Sequence, residues 1–486
     1  MNRGERVHLS AAHIHMTTRR KIFYSGIILV LISPGSLSAN PLADVVESLK
    51  PTVVNLEVSS EVNLGFDTAG QWHATGFIVD AKRGIIATNR HVTSTSPASI
   101  KITFIDGNST EGKVLYYDYY HDFALITFDP SAVSLTLKEA PLGSSFSLKP
   151  QQTAFLIGNN EREEYSVKVG MVVNLRANKG KRHSLTIHTS FDRTRGSSGS
   201  PVFNDQGQVI GLHFAGTNTS SFELPIEYIR DCLEAIRRNG VPQRGDIGLQ
   251  LDYVNVDDAI KHIGISADYR DLYRREFPRS TKFIHVRAVV PRSPAENLVK
   301  PGDIVWALGD QRIGDNLYVF DKLVDQSLGQ TIQLTLLRRE GKKVLQLPVR
   351  DLEKQKTKTF VLFGGGTFQD ITTEFRRWMN YGGEGVFMNH VRPGSAFASL
   401  GVYEEDAPTT RRVVIRELNG TRIRNLDDFI RAGQRIRDGT HTTIIYQDFA
   451  TYNTSPKVQY TSFDLEFSPF EIVRMDGERK IVRRHK

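Results

Sequence analysis

A chain of 486 residues is too long for a single hydrophobic core, so about two to four domains are expected, and an apolar fraction of 39% excludes a mostly disordered chain. Against 54 Asp and Glu, 62 Lys and Arg leave a formal charge of +8; spread over this length, without basic runs interleaved with aromatics, that excludes a nucleic-acid footprint. The single cysteine, Cys232, excludes an internal disulfide.

At the N-terminus Arg19-Arg20-Lys21, the apolar run Ile22 to Ile32 and the small residues Ser36-Leu37-Ser38-Ala39 predict a secretory signal over 1–39, with Met16 as an alternative start. The run is too short for a comfortable membrane span. An exported chain with one cysteine fits a bacterial periplasm, the alternative being an uncleaved membrane anchor. From Val53 to about Phe222, short apolar strands such as Val53–Val58, Ile100–Phe104 and Val209–Phe214 alternate with polar turns and predict a barrel or sandwich. Ile226, Ile229, Leu233 and Ile236 recur at helical spacing, with Cys232 packed at the border of that face and Gly240 as the stop. Gly240-Val241-Pro242-Gln243-Arg244-Gly245 reads as a linker.

A degenerate repeat follows. Pro291-Arg292-Ser293-Pro294-Ala295 leads to Pro301-Gly302-Asp303; later Arg392-Pro393-Gly394-Ser395-Ala396 leads to Glu404-Glu405-Asp406-Ala407-Pro408, where the Pro-Gly-Asp turn is missing. Each copy continues into an amphipathic stretch, near Phe320 and near Phe429. The basic runs Lys179–Arg182 and Arg483–Lys486 read as solvated surface. The expected boundaries are 40–240, 243–353, 356–472 and a basic tail over 473–486.

Gly196-Ser197-Ser198-Gly199-Ser200-Pro201 places Ser198 where its hydroxyl can be presented while nearby N–H groups stay open, as an acyl-transfer nucleophile requires. Upstream, His91 ends the apolar run Gly84–Val92 and Asp122 heads Phe123-Ala124-Leu125-Ile126. The order His, Asp, Ser is that of chymotrypsin-like proteases. In that reading His91 takes the Ser198 proton and passes it to the leaving amine, while Asp122 fixes the imidazole tautomer. The histidines show no metal-ligand spacing, so no metal or other cofactor is expected.

Thr75-Gly76-Phe77-Ile78-Val79, Thr88-Asn89-Arg90-His91-Val92, Asp122-Phe123-Ala124-Leu125 and Gly196–Pro201 resemble the HtrA/Deg family of serine proteases, from about Pro41 to about Ile472. The spelling is most similar to the fungal and plant branch with duplicated protease units, although one unit is present here. Ser197 and Ser200 replace the commoner Asn and Gly without removing a triad atom. The resemblance implies a mainly β fold: a chymotrypsin-like double β-barrel followed by two PDZ-like α+β domains. It implies an oxyanion hole from the N–H groups of Gly196 and Ser198, and a substrate pocket at Leu212, His213, Phe214 and Ala215 that takes small aliphatic residues. It also implies a peptide-carboxylate loop at Ile247, Gly248 and Leu249, with Phe363-Gly364-Gly365-Gly366-Thr367 as its counterpart in the second copy.

By the same resemblance the protein is a serine endopeptidase that cleaves misfolded or exposed polypeptides in envelope quality control, binds peptide C-termini at its first PDZ unit and forms a trimer. The alternative is a catalytically weak or inactive peptide-binding chaperone or scaffold.

Overall fold

The computed structural model describes residues 41–118, 120–160, 163–177, 185–192, 195–400, 412–449, 454–475 and 479–485. The expected signal over 1–39, the basic run 179–182 and the stretch 404–408 lie outside the described residues.

Helix α1 (Pro41–Leu49) leads into β1 (Val53–Ser60). Strands β2 (Gly70–Asp80), β3 (Ile85–Thr88), β4 (Ala98–Thr103), β5 (Ser109–Tyr117) and β6 (Ala124–Thr127) follow, and the six close a barrel in the order β1-β2-β3-β6-β5-β4. Short β-branched runs form these strands because their side chains pack well on a pleated surface. Val54, Leu56, Ile78, Ile86, Ile100, Ile102 and Ile126 fill the interior. Gly76 and Gly112 sit where a Cβ would come within 2.7 Å of Ile86 and Ile126, so the small barrel closes only around glycine there.

A second barrel repeats the plan with β7 (Thr153–Asn160), β8 (Glu163–Ala177), β9 (Thr186–Thr189), β10 (Pro201–Asn204), β11 (Val209–Thr217) and β12 (Ser220–Pro225), ordered β10-β11-β12-β9-β8-β7. Leu156, Val172, Ile187, Val202 and Ile210 fill it. Phe77 and Leu125 of the first barrel share a core with Phe155 and Phe203 of the second, the last two stacked at 5.2 Å. Helix α3 (Ile226–Arg237) buries Ile226, Ile229, Cys232 and Leu233 on this core.

The chain then builds a sheet from strands Leu249–Asn255, Lys282–Val289, Ile304–Leu308, Thr331–Arg338 and Gly341–Pro348, with helix Leu317–Gln326 at the amphipathic stretch near Phe320. Ile247, Leu251, Val286, Phe320 and Leu334 belong to the same continuous core as Phe123 and Tyr228 of the barrel region. The expected linker is therefore not a free spacer. Arg244 is buried, donating from Nε to Asp118 at 2.8 Å and pairing with Asp325.

A last sheet joins strands Thr359–Phe363, Gly366–Asp370, Val386–Val391, Val413–Leu418, His441–Asp448, Lys457–Ser462, Phe470–Met475 and Arg479–His485, with helix Leu426–Gly433 near Phe429. Phe363, Phe368, Phe397, Phe429, Phe463 and Phe470 form its core. The expected basic tail instead extends this sheet: Phe470–Met475 pairs with both Thr359–Phe363 and Arg479–His485, and the latter forms the edge.

Among the described residues, no helix is long and apolar enough to cross a membrane.

Candidate active site

His91 stands on the short helix α2 (Arg90–Thr93), entered directly from β3 through Asn89. Its Nδ1 lies 2.8 Å from Asp122 Oδ2, and its backbone N–H donates to Asp122 Oδ1 at 3.0 Å. Asp122 precedes β6 with φ +56°, in the left-handed region. Its carbonyl accepts from the Arg90 N–H at 3.2 Å and Asn89 Nδ2 at 3.0 Å, so the turn is held from three sides. Arg90, itself buried, places Nε 3.8 Å from the Asp122 carboxylate and pairs with Asp67 at 3.0 Å.

Ser198 is half-buried in a turn between Gly196 (φ +88°) and Gly199 (φ +86°). A Cβ on Gly199 would fall 2.0 Å from the Thr75 carbonyl oxygen. The Thr75 N–H donates to the Ser198 carbonyl at 2.9 Å, Gly199 N–H to the His213 carbonyl at 3.0 Å, and His213 N–H to the Ser200 carbonyl at 2.9 Å. Thr75 Oγ1 also donates to the Gly196 carbonyl at 3.0 Å. Strands β2 and β11 thus grip the turn on both sides. The N–H groups of Gly196 and Ser198 are not used in these bonds.

His91, Gly196, Ser197 and Ser198 line one cleft of about 1410 Å³, together with His213, Phe214, Ala215 and Gly216. Ser198 and His91 both line this cleft, which leaves their catalytic hydrogen bond to be made as substrate binds. Leu212 does not line it. It is fully buried opposite Pro201, because alternation along β11 turns it into the core and its neighbour His213 toward the cleft.

Beneath the cleft lies a polar group that sequence reasoning missed. Glu223 on β12, fully buried, sits 3.0 Å from His213 Nδ1 through Oε2 and accepts from Thr189 Oγ1 at 2.6 Å; Ser221 Oγ is 2.8 Å from the same Nδ1. The pairing of β11 with β12 puts His213 opposite Glu223.

A second charged cluster, also missed, lies behind Asp122. His121 is buried between Asp118, 3.2 Å from Nδ1, and Asp321 of helix Leu317–Gln326, 3.1 Å from Nε2. Tyr228 stacks on its ring at 4.1 Å and donates to Asp321 at 2.7 Å. Burial opposes charge throughout, yet the attraction of Arg244 and His121 holds the Asp118 carboxyl far below the usual carboxylate range. His121 is raised above an ordinary histidine, against the burial penalty, by Asp118 and Asp321. Asp325 moves the other way: burial outweighs Arg244 and pushes it up to about 7.

At the expected carboxylate loop, Ile247 and Leu249 are core side chains and Gly248 holds φ +83° over Ser293, where a Cβ would collide at 1.9 Å. The Gly248 N–H donates to Asp246 Oδ1 at 2.9 Å, and Arg377 of helix Thr373–Met379 donates to the Leu249 carbonyl at 3.0 Å. In this arrangement the loop's central donor is taken by a carboxylate of the chain itself. Gly365 repeats the geometry over Ser395, with a collision at 2.2 Å, inside the hairpin that pairs Phe363 with Gly366.

Residues 74–212 match the trypsin-like peptidase domain and residues 355–439 the PDZ-like domain, the latter falling on the copy that lacks the Pro-Gly-Asp turn. The chain is similar to proteins named pro-apoptotic serine protease NMA111: 26% identical over 433 residues in Lodderomyces elongisporus, covering 85% of this chain and 43% of that protein. The relative in Scheffersomyces stipitis is 27% identical over 433 residues, with 87% and 43% covered. The chain thus spans less than half the length of the curated relatives it matches. Among solved structures, an HtrA-type protease, AlgW, with a tripeptide is 22% identical with a TM-score of 0.49, over 64% of this chain and 97% of that one. The bacterial periplasm expected from the N-terminal sequence is overturned by these relatives, which are fungal proteins. A trypsin-like peptidase domain match, a PDZ-like domain match and serine-protease relatives along most of its length support an HtrA-family serine protease.

Proposed function

We propose that this protein is a serine endopeptidase acting through Ser198, His91 and Asp122 on exposed or misfolded polypeptide. The observation that carries the reading is the His91–Asp122 pair at 2.8 Å, with His91 lining the same cleft as Ser198.

Asp122 accepts the Nδ1 proton of His91, which leaves the Nε2 lone pair to take the Ser198 proton as Oγ attacks the substrate carbonyl. The imidazolium so formed is stabilised by Asp122 and returns its proton to the leaving amine. Water then repeats the sequence on the acyl-enzyme and releases the new carboxylate. The N–H groups of Gly196 and Ser198 meet the oxyanion; losing one such donor costs roughly 10²–10³ in rate. Peptide segments also add to the PDZ-like sheets by strand addition.

Casein hydrolysis by the wild type, lost in Ser198→Ala, is the expected result. Fluorophosphonate labelling of Ser198 should vanish in His91→Ala, because the hydroxyl loses its base. Peptide binding without hydrolysis by the wild type would favour a peptide-binding scaffold on a silent barrel.

A further inference from the structure

The His213 side chain is only 4% exposed, yet it lines the cleft that holds Ser198. Its backbone is one hydrogen bond from the nucleophile's turn on either side, so its position relative to Ser198 is fixed. A carboxylate can only accept, so the Nδ1 facing Glu223 Oε2 at 3.0 Å carries the proton, and the Nε2 lone pair remains. The ring's contacts with Glu223 and Ser221 both fall on Nδ1, and the residue lines the cleft, so Nε2 is the nitrogen left to meet a substrate side chain.

We propose that His213, oriented by Glu223, makes this protease select a substrate residue before the scissile bond whose side chain is uncharged and donates a hydrogen bond: a carboxamide or a hydroxyl. The proposal rests on the reading of the cleft as a protease site. A small aliphatic side chain would strip water from Nε2 and return nothing, leaving a buried acceptor unpaired. A carboxylate brings no donor and meets the charge of Glu223. A lysine or arginine brings three or five donors to a single acceptor and is desolvated without compensation. Thr189 donates to the other Glu223 oxygen at 2.6 Å, so the carboxylate is committed to holding the imidazole rather than to meeting substrate directly.

The test is a peptide library, varied only at the residue before the cut, hydrolysed by the full chain. Glutamine, asparagine, serine or threonine should exceed alanine and valine by about ten- to a hundredfold in kcat/KM. In His213→Val the order should reverse toward valine and alanine, with fluorophosphonate labelling of Ser198 reporting that the triad persists. In Glu223→Gln the amide donates to Nδ1 and the proton moves to Nε2, so glutamate should gain on serine and threonine. A wild-type preference for alanine or valine, or a preference unchanged in His213→Val, overturns the proposal while leaving the protease reading intact. No cleavage of any peptide overturns both.

Discussion

Asp122 sits at φ +56°, a conformation that non-glycine residues hold only when their surroundings impose it, and Asp and Asn most readily. The constraint comes from Arg90 and Asn89 on its carbonyl and His91 on its carboxylate, so the strained backbone and the imidazole are fixed together. Asp122→Asn tolerates the same backbone but offers an amide donor to Nδ1, which turns the tautomer over. The expected outcome is a loss of about 10⁴ in kcat with the Tm nearly unchanged, read by peptide hydrolysis and thermal unfolding. Gly199 is constrained by space as well as by φ. Gly199→Ala forces a methyl against the Thr75 carbonyl at 2.0 Å, so Ser198 must move off the cleft wall. Fluorophosphonate labelling should fall at least tenfold, and stability by about 1–3 kcal/mol.

Helix Leu317–Gln326 begins with the Asn316 side chain accepting from the Tyr318 N–H and buries Leu317, Phe320 and Val324, which turns Asp321 toward His121. One helix of the α+β region therefore contacts the residue beside Asp122. His121, Asp118, Asp321, Arg244, Asp325 and Tyr228 form one buried cluster of polar and charged groups. His121 and Asp325 are both raised in the folded state, so each holds a proton that the unfolded chain has released. Their stabilisation is present at low pH and is lost as pH rises through about 7 for Asp325 and through the raised value of His121. Asp118 is lowered, and its contribution is lost only in acid. Urea unfolding from pH 6 to 9 should show stability falling with pH, and His121→Gln should flatten the slope. A wild-type slope of zero would contradict the assignment.

The barrels and the first α+β sheet share one core, from Phe123 and Tyr228 to Ile247 and Phe320. Tyr120 donates to Asp246 at 2.6 Å, and Arg377 stacks 3.9 Å from the Tyr120 ring and donates to its hydroxyl, so the second α+β region is tied to the same point. Ending the chain after 240 would strip Asp118 of Arg244 and His121 of Asp321. It would also open the apolar core shared with Ile247 and Phe320, against a usual domain stability of only about 5–15 kcal/mol. Residues 40–240 should therefore unfold at markedly lower urea than 40–353, and calorimetry of the longer piece should show one transition. Two separate transitions would show that the shared core is not cooperative.

The sequence by itself determined the candidate triad, because His91, Asp122 and Ser198 each lie in a local context — a strand end, a strand start, a glycine turn — that carries its chemistry within a few residues. It determined the β-rich architecture for the same reason, since period-2 runs are local patterns. Only the tertiary structure decided that Leu212 is core, that Glu223 stands behind His213, and that Asp118, His121, Arg244 and Asp321 meet in one buried cluster. Those partners are as many as 200 residues apart, and no local pattern encodes which charge will meet which. The segment 240–245 shows the limit most plainly: glycine and proline mark a bend, but whether Arg244 inside it is solvated or buried depends on the carboxylates that the fold brings around it.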